Sequence, residues 1–222
     1  MIETVIKIAQ EAGKILLSHY HHNHKITYKD QDGHDPVTEA DFASQQLITT
    51  RLHEKFPDDQ IFSEENSKIN IDFSKRVWIV DPLDGTKQFI NHQDTFSVVI
   101  GLCVNGIPIL GVVFIPVQNK LFFAEVGKGA YVGNVNDKNK LKVSTAQRLS
   151  EAVMFIKSPS KRLRPFEQGI EKLPVKTKLL GGSFAVKVCE IAEGHADLYI
   201  HPSKKLGKWD TCAPQIILTE AG

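Results

Sequence analysis

The sequence predicts an α+β first half followed by an α/β second half, and three observations carry that prediction. Residues 2–20 repeat apolar side chains at helical spacing. From Ile61 onward the apolar residues run in short blocks broken by turn signals at Asn105-Gly106 and residues 116–120. Beyond residue 141, short apolar runs alternate with helical stretches. At 222 residues the chain has room for one domain or two intimate halves. Hydrophobic residues at 41% and charged residues at 24% match a globular protein and argue against disorder.

In order, the first helix spans residues 2–20, with Ile2, Val5, Ile6, Ala9, Gly13, Leu16, Leu17 and Tyr20 on one stripe. The polar stretch 21–35, with Asp32-Gly33 turn chemistry, reads as a hairpin or mobile flap. A second helix begins at Thr38 and runs to about Lys55, turning Ala40, Ala43, Leu47, Ile48 and Leu52 inward. Pro57 ends it. Ile61-Phe62 is a short strand, and Val77-Trp78-Ile79-Val80 is an apolar run suited to a buried one. Residues 97–104, 107–115 and 121–126 read as an antiparallel meander, and 130–132 as a further strand after Gly127-Lys128-Gly129.

Residues 134–140 are the most linker-like segment, which divides the chain into halves 1–140 and 141–222. In the second half, 153–156 is a strand and 163–173 a helix despite Pro165. Leu179-Leu180 leads through Gly181-Gly182 into a helix from Ser183 to Glu193, which Gly194 stops. A strand over 196–200 and a helix over 210–220 complete the chain.

The 27 Lys+Arg nearly cancel the 26 Asp+Glu, and a net charge of +1 provides no field for a nucleic-acid polymer or an anionic membrane. No apolar run reaches the ~18–20 residues of a membrane span. The start, Met1-Ile2-Glu3-Thr4, is unlike a basic secretory leader. Cys103, Cys189 and Cys212 are odd in number and lack a CxxC spacing, which suits reduced structural thiols in a cytoplasm.

Four acidic segments hold the chemistry. In Trp78-Ile79-Val80-Asp81-Pro82-Leu83-Asp84-Gly85-Thr86, a buried strand delivers Asp81 at its C-terminal end and Asp84 follows round a turn stiffened by Pro82. The two carboxylates, with the Leu83 carbonyl between them, suit hard cations such as Mg²⁺. Gly85 and Thr86 can open a helical turn whose N–H groups favour phosphate. Ser63-Glu64-Glu65-Asn66 also follows a short strand, so its acids reach the same sheet end. In Asp35-Pro36-Val37-Thr38-Glu39-Ala40-Asp41, Thr38 and Asp41 make a capping-box pair. Trp209-Asp210 places an acid at the N-cap of the last helix. Each segment also has a plain structural reading as a cap or a solvated turn. Their coincidence is what argues for one site.

Together these motifs, with Lys87-x-Phe89 and Thr211-Cys212-Ala213-Pro214, resemble the inositol monophosphatase superfamily of lithium-sensitive, Mg²⁺-dependent phosphomonoesterases. The resemblance runs from Asp35 to Gly222. It implies a layered α-β-α-β-α sandwich of the inositol monophosphatase/fructose-1,6-bisphosphatase type. It further implies two or three Mg²⁺ ions: Glu64, Asp81 and the Leu83 carbonyl for the first, Asp81, Asp84 and Asp210 for the second, and a weaker ion sharing Glu64. Thr86, hydrogen-bonded to Asp41, would orient the attacking water with Glu64 assisting, while the Gly85 and Thr86 amides hold the phosphate.

Lys87, Lys187 and the run Lys204-Lys205…Lys208 resemble the 3'(2'),5'-bisphosphate nucleotidase branch. That branch implies adenosine 3',5'-bisphosphate as substrate and a place in sulfur assimilation, with Ser183 and Lys187 at a second, non-reacting phosphate and Asp210 also facing substrate. The alternatives are an inositol monophosphatase or fructose-1,6-bisphosphatase-like sugar phosphatase and a non-catalytic nucleotide sensor; a monomer or homodimer is expected.

Two departures stand out. Lys157-Ser158-Pro159-Ser160 replaces a Ser-His pair that helps hold the nucleoside, and the family continues beyond the point matching Gly222, so a C-terminal element is expected to be missing. Lys29 or Asp30 in the flap would touch the metal site. His19, His21, His22 and His24 read as solvated residues near a helix C-terminus rather than ligands.

Overall fold

A computed structural model describes the chain at all residues except 23–25, 30–35, 68, 157–164 and 202–205. The elements follow in the order α1 (Ile2–Tyr20), β1 (Thr27–Tyr28), β2 (Pro36–Val37), α2 (Glu39–Lys55), β3 (Gln60–Ser63), β4 (Arg76–Asp84), α3 (Thr86–Ile90), β5 (Ser97–Val104) and β6 (Ile107–Ile115). Then come β7 (Lys120–Glu125), β8 (Gly129–Asn134), β9 (Asp137–Lys140), β10 (Val153–Ile156), α4 (Pro165–Glu171), β11 (Thr177–Leu180), α5 (Phe184–Ala192), β12 (Leu198–Tyr199) and α6 (Lys208–Ala221).

Strands β3 to β9 form one seven-stranded sheet in sequence order, antiparallel throughout except for the parallel β3–β4 pair. Its interior strand β5 shows why the core has two sides. Every residue from Ser97 to Cys103 is buried, and the period-two pleat sends alternate side chains to opposite faces. Val98, Ile100 and Leu102 pack with α1 and α2, whereas Val99 packs with α5 and α6. A three-stranded parallel sheet, ordered β11-β10-β12, adds a further layer, and Tyr199 of β12 meets Phe184 of α5 at a ring-centroid distance of 6.0 Å. The result is the layered α-β-α-β-α sandwich.

The amphipathic helices keep their expected bounds. In α1 the buried stripe is Val5, Ile6, Ile8, Ala9, Ala12, Gly13, Leu16 and Tyr20, while Leu17, placed on the stripe by spacing, is 36% exposed at its margin. Pro165 opens α4 rather than interrupting a helix, since its fixed φ suits the first turn and its missing N–H has no partner there anyway. Three expectations need correction. Residues 134–140 are not a linker, because Asp137–Lys140 turns back and pairs with β8. Strand β4 does not stop at Asp81 but continues to Asp84, with a register break opposite β5 between those two aspartates. Asp210 is the third residue of α6 rather than its N-cap, which is Gly207.

Helix α6 lies unusually close to the sheet. Gly101 and Gly111 are cross-strand partners on β5 and β6, and a Cβ on Gly111 would stand 2.5 Å from the Ala213 carbonyl oxygen. One on Gly101 would stand 2.6 Å from Cys212 Sγ. Trp209, at the start of the helix, packs on Phe62 of β3 at 5.5 Å between ring centroids. This packing seats Asp210 beside the end of β4. Gly111→Val should therefore cost about 1–3 kcal/mol and lower the unfolding midpoint by about 2–12 °C in a thermal melt. An unchanged midpoint would mean that α6 does not depend on this approach.

Candidate active site

Two parallel strands end at the same edge of the sheet, since Ser63 of β3 pairs with Val80 of β4. The acids lie at the C-terminal ends of these strands. After β3 comes a short 3-10 turn, Glu64–Asn66; β4 itself carries Asp81, Pro82, Leu83 and Asp84 into the register break. Gly85 then adopts φ +94°, a conformation glycine enters without strain, and turns the chain into α3 with Thr86 as its first residue. A Cβ at Gly85 would stand 2.7 Å from that of Ser183, so the turn also lies directly against the start of α5.

Each acid is held by a named donor. Asp81, buried, accepts from the Leu83 N–H at 3.0 Å. Asp84 is the counter-charge to the N-terminus of α5. Its Oδ2 accepts from Ser183 Oγ at 2.5 Å, the Ala185 N–H at 2.8 Å and Ser97 Oγ at 3.1 Å, and its Oδ1 from the Phe184 N–H at 3.3 Å. Asp210 Oδ2 accepts from the Gly207 N–H at 2.6 Å. Asp41, wholly buried, makes the capping box. Its Oδ2 accepts from the Thr38 N–H at 2.8 Å and Thr38 Oγ1 at 2.6 Å. Its other oxygen accepts from Thr86 Oγ1 at 3.2 Å. Capping and assembly of the site thus use opposite oxygens of one carboxylate.

Oxygens of Asp81, Asp84 and Asp210 lie within 4.8 Å of one another, and Glu64 is within hydrogen-bond reach of Asp81. Burial, then the neighbouring Glu64, Asp84 and Asp210 carboxylates, push Asp81 well above the usual carboxylate range. Burial also raises Asp84 against the pull of its four donors. Asp210 is pushed up to about 7 by burial and then by Asp84, and Asp41 to about 6 by burial, only partly offset by Thr38. Lys29, after β1, donates to Glu64 at 2.8 Å and to Glu65 at 2.6 Å. Burial works against its charge, but the two carboxylates outweigh it and hold the ammonium above its ordinary value. Asp30 lies outside the described residues.

A cleft of about 330 Å³ opens over these groups. Glu64, Asp81, Leu83, Asp84, Gly85, Thr86, Lys87 and Asp210 line it, so most of the residues singled out from sequence share one cavity. Ser183 and Lys187 are placed differently. The Ser183 hydroxyl points at Asp84. Lys187 is not an exposed helical lysine: it is 7% exposed, with Nζ 4.5 Å over the Tyr199 ring. Pro36, Gln88, His201 and Trp209 also line the cleft. Of these, His201, whose Nδ1 lies 2.9 Å from Tyr199 Oη, carried no signal beyond its place just after a short strand. Ser97 carried a faint one, as a single hydroxyl opening an otherwise apolar strand.

Among the described residues a second group, Glu190, Glu193 and His195, also converges, but the Lys120 ammonium already bridges its carboxylates. His21 packs against Tyr20, and no metal-competent group among the described residues includes His19, His21 or His22. His24, Lys157–Ser160, Lys204 and Lys205 lie outside the described residues.

An all-oxygen, buried, mutually repelling donor set fits a hard divalent cation such as Mg²⁺ and not a softer ion that prefers sulfur or imidazole. Comparison with known proteins gives the family. The model of the inositol monophosphatase family matches residues 1–222. The chain is 32% identical to the 3'(2'),5'-bisphosphate nucleotidase CysQ of Aggregatibacter actinomycetemcomitans, covering all of this chain and 82% of that protein. It is equally 32% identical to inositol monophosphatase 1 of Solanum lycopersicum, over 98% of this chain and 80% of that one. Among solved structures, the extragenic suppressor protein suhB from Bartonella henselae superposes with a TM-score of 0.86 at 27% identity, over 99% of this chain and 84% of that one. The chain belongs to the inositol monophosphatase family.

The raised carboxylates set the sign of a pH effect. A folded-state acid with an elevated pKa contributes stability below its ordinary value near 4 and loses it as pH rises through the folded value. In chelator, the urea midpoint should therefore fall between pH 6 and pH 8, across the value of about 7 at Asp210. A flat or rising midpoint would contradict the electrostatic description of the site.

Proposed function

We propose that this phosphatase of the inositol monophosphatase family hydrolyses the 3'-phosphate of adenosine 3',5'-bisphosphate, using two or three Mg²⁺ ions. The observation that carries the reading is the convergence of Asp81, Asp84 and Asp210 in one cleft beside the Thr86–Asp41 hydrogen bond.

In this reading Glu64, Asp81 and the Leu83 carbonyl hold one ion, and Asp81, Asp84 and Asp210 hold another. The bound ions supply Lewis acidity that acidifies water and neutralises charge on the phosphate. The protein's own part is positioning and proton transfer. Thr86 Oγ1 donates to Asp41 Oδ1, which leaves the hydroxyl oxygen free to accept from a water and aim it at phosphorus. As that water attacks, its proton passes to Thr86 while the Thr86 proton passes to Asp41, whose value near 6 makes it a serviceable acceptor at neutral pH. Thr38 fixes the other oxygen of Asp41 and so aims the acceptor at Thr86. Glu64 assists at the water, the Gly85 and Thr86 amides cradle the phosphate, and Lys87 offers a cation at the cleft.

The nucleotide preference rests on Lys87 and Lys187 and on the likeness to the CysQ protein. Because the α5 amides and the Ser183 hydroxyl are engaged by Asp84, the second phosphate falls to the lysines. The equal identity to a plant inositol monophosphatase makes an inositol phosphate the alternative substrate.

Phosphate release from adenosine 3',5'-bisphosphate, inositol 1-phosphate and fructose 1,6-bisphosphate, measured side by side with and without lithium, tests the reading. The nucleotide should be turned over fastest and lithium should inhibit. Thr86→Ala should lower kcat by about 10²–10⁴-fold with little change in KM. Faster release from inositol phosphate would keep the family chemistry and overturn the nucleotide assignment. Ligand binding without turnover would mark a sensor instead.

A further inference from the structure

We propose that Ser97 and Ser183 are positioning residues that lock the Asp84 carboxylate in the orientation from which it binds a divalent cation. The inference rests on the metal-dependent reading above and adds two residues to it.

The argument begins with lone pairs. A carboxylate oxygen that accepts three hydrogen bonds has its lone-pair directions occupied and leaves little room for a cation to approach. Asp84 Oδ2 is in that state: it takes the Ser183 hydroxyl at 2.5 Å, the Ala185 amide at 2.8 Å and the Ser97 hydroxyl at 3.1 Å. Oδ1 has one longer contact, 3.3 Å to the Phe184 amide, and is therefore the oxygen available to an ion shared with Asp81 and Asp210. The three Oδ2 donors come from separate places. Ser97 opens β5 and pairs with Asp84 across the register break, whereas Ser183 and Ala185 belong to the start of α5, 99 and 101 residues away in sequence.

The carboxylate and both hydroxyls are buried, so water cannot replace a lost donor at little cost. Partners of this kind fix the rotamer of a ligand before the ion arrives, and removing one typically weakens metal binding by about 10–100-fold. Ser183 was assigned to the substrate from sequence. Its hydroxyl is committed to Asp84, which makes it a support of the metal site.

The test is Mn²⁺ binding to the full chain without substrate, followed by electron paramagnetic resonance. Ser183→Ala should weaken binding by about 10–100-fold, and Ser183→Thr, which retains the hydroxyl, should restore most of it. Since Ser183 also accepts from the Val186 N–H as the cap of α5, Ser97→Ala provides the independent arm. Ser97 caps no helix, and its loss should weaken Mn²⁺ binding several-fold. In both alanine variants, raising Mg²⁺ should recover turnover with substrate KM unchanged. Wild-type Mn²⁺ affinity in both alanine variants would overturn the positioning role while leaving the phosphatase reading intact. No Mn²⁺ binding by the wild-type chain would overturn both.

Discussion

Crowding of like charge at the end of β4 is the constraint on which the rest of the structure depends. Asp81, Asp84 and Asp210 bring oxygens within 4.8 Å of one another in a largely buried setting, and Glu64 adds a fourth carboxylate beside Asp81. Such an arrangement is unfavourable by itself, because burial and mutual repulsion both oppose ionisation. It persists because the surrounding packing leaves little room to relax. Helix α6 rests against the cross-strand pair Gly101 and Gly111, Trp209 packs on Phe62, and Gly85 lies against the start of α5. In the proposed reading, cations complete the charge balance that the fold begins.

The same acids also stabilise helices. Asp41 closes the capping box of α2, Asp84 takes the amides of α5, and Asp210 takes the Gly207 amide at the start of α6. An anion at a helix N-terminus satisfies otherwise unpaired N–H groups and is favoured by the helix dipole, each effect contributing about 0.5–2 kcal/mol. Part of the repulsion among the carboxylates is thereby offset by three separate helices. Capping and metal binding are competing explanations of these residues only when each motif is read alone. In the folded chain one carboxylate can serve both ends: Asp41 caps α2 with one oxygen and meets Thr86 with the other, and Asp84 takes most of its donors on Oδ2 and only one longer contact on Oδ1.

This dual use explains what the sequence made legible. The bounds of α1 and α2 follow from helical periodicity and from Thr38 and Pro57. The strands of the meander follow from Asn105-Gly106 and Gly127-Lys128-Gly129, and the converging acids from spacing and resemblance. Strand β9 was hidden because Asp137–Lys140 is polar and exposed, so its pairing with β8 leaves no apolar alternation. The continuation of β4 past Asp81 was hidden because Pro82 normally argues against a strand interior, and here the register break accommodates it. The burial of Lys187 was hidden because nothing local in α5 announces the Tyr199 ring across it. The Ser97 and Ser183 hydroxyls were unreadable as partners of Asp84, since α5 and β5 meet only in three dimensions.

The claim that cations complete this site is tested most directly by thermal unfolding at pH 8 during a Mg²⁺ titration from chelator. An ion that binds the folded chain alone adds about 2.7 kcal/mol at a hundredfold excess over its dissociation constant, or about 5–11 °C for a chain of this size. The account predicts a midpoint that climbs steadily with the logarithm of Mg²⁺ concentration, and a much smaller climb in Asp81→Asn. The same midpoint in chelator and in saturating Mg²⁺ would contradict it, because carboxylates this crowded would then be balanced by the protein alone.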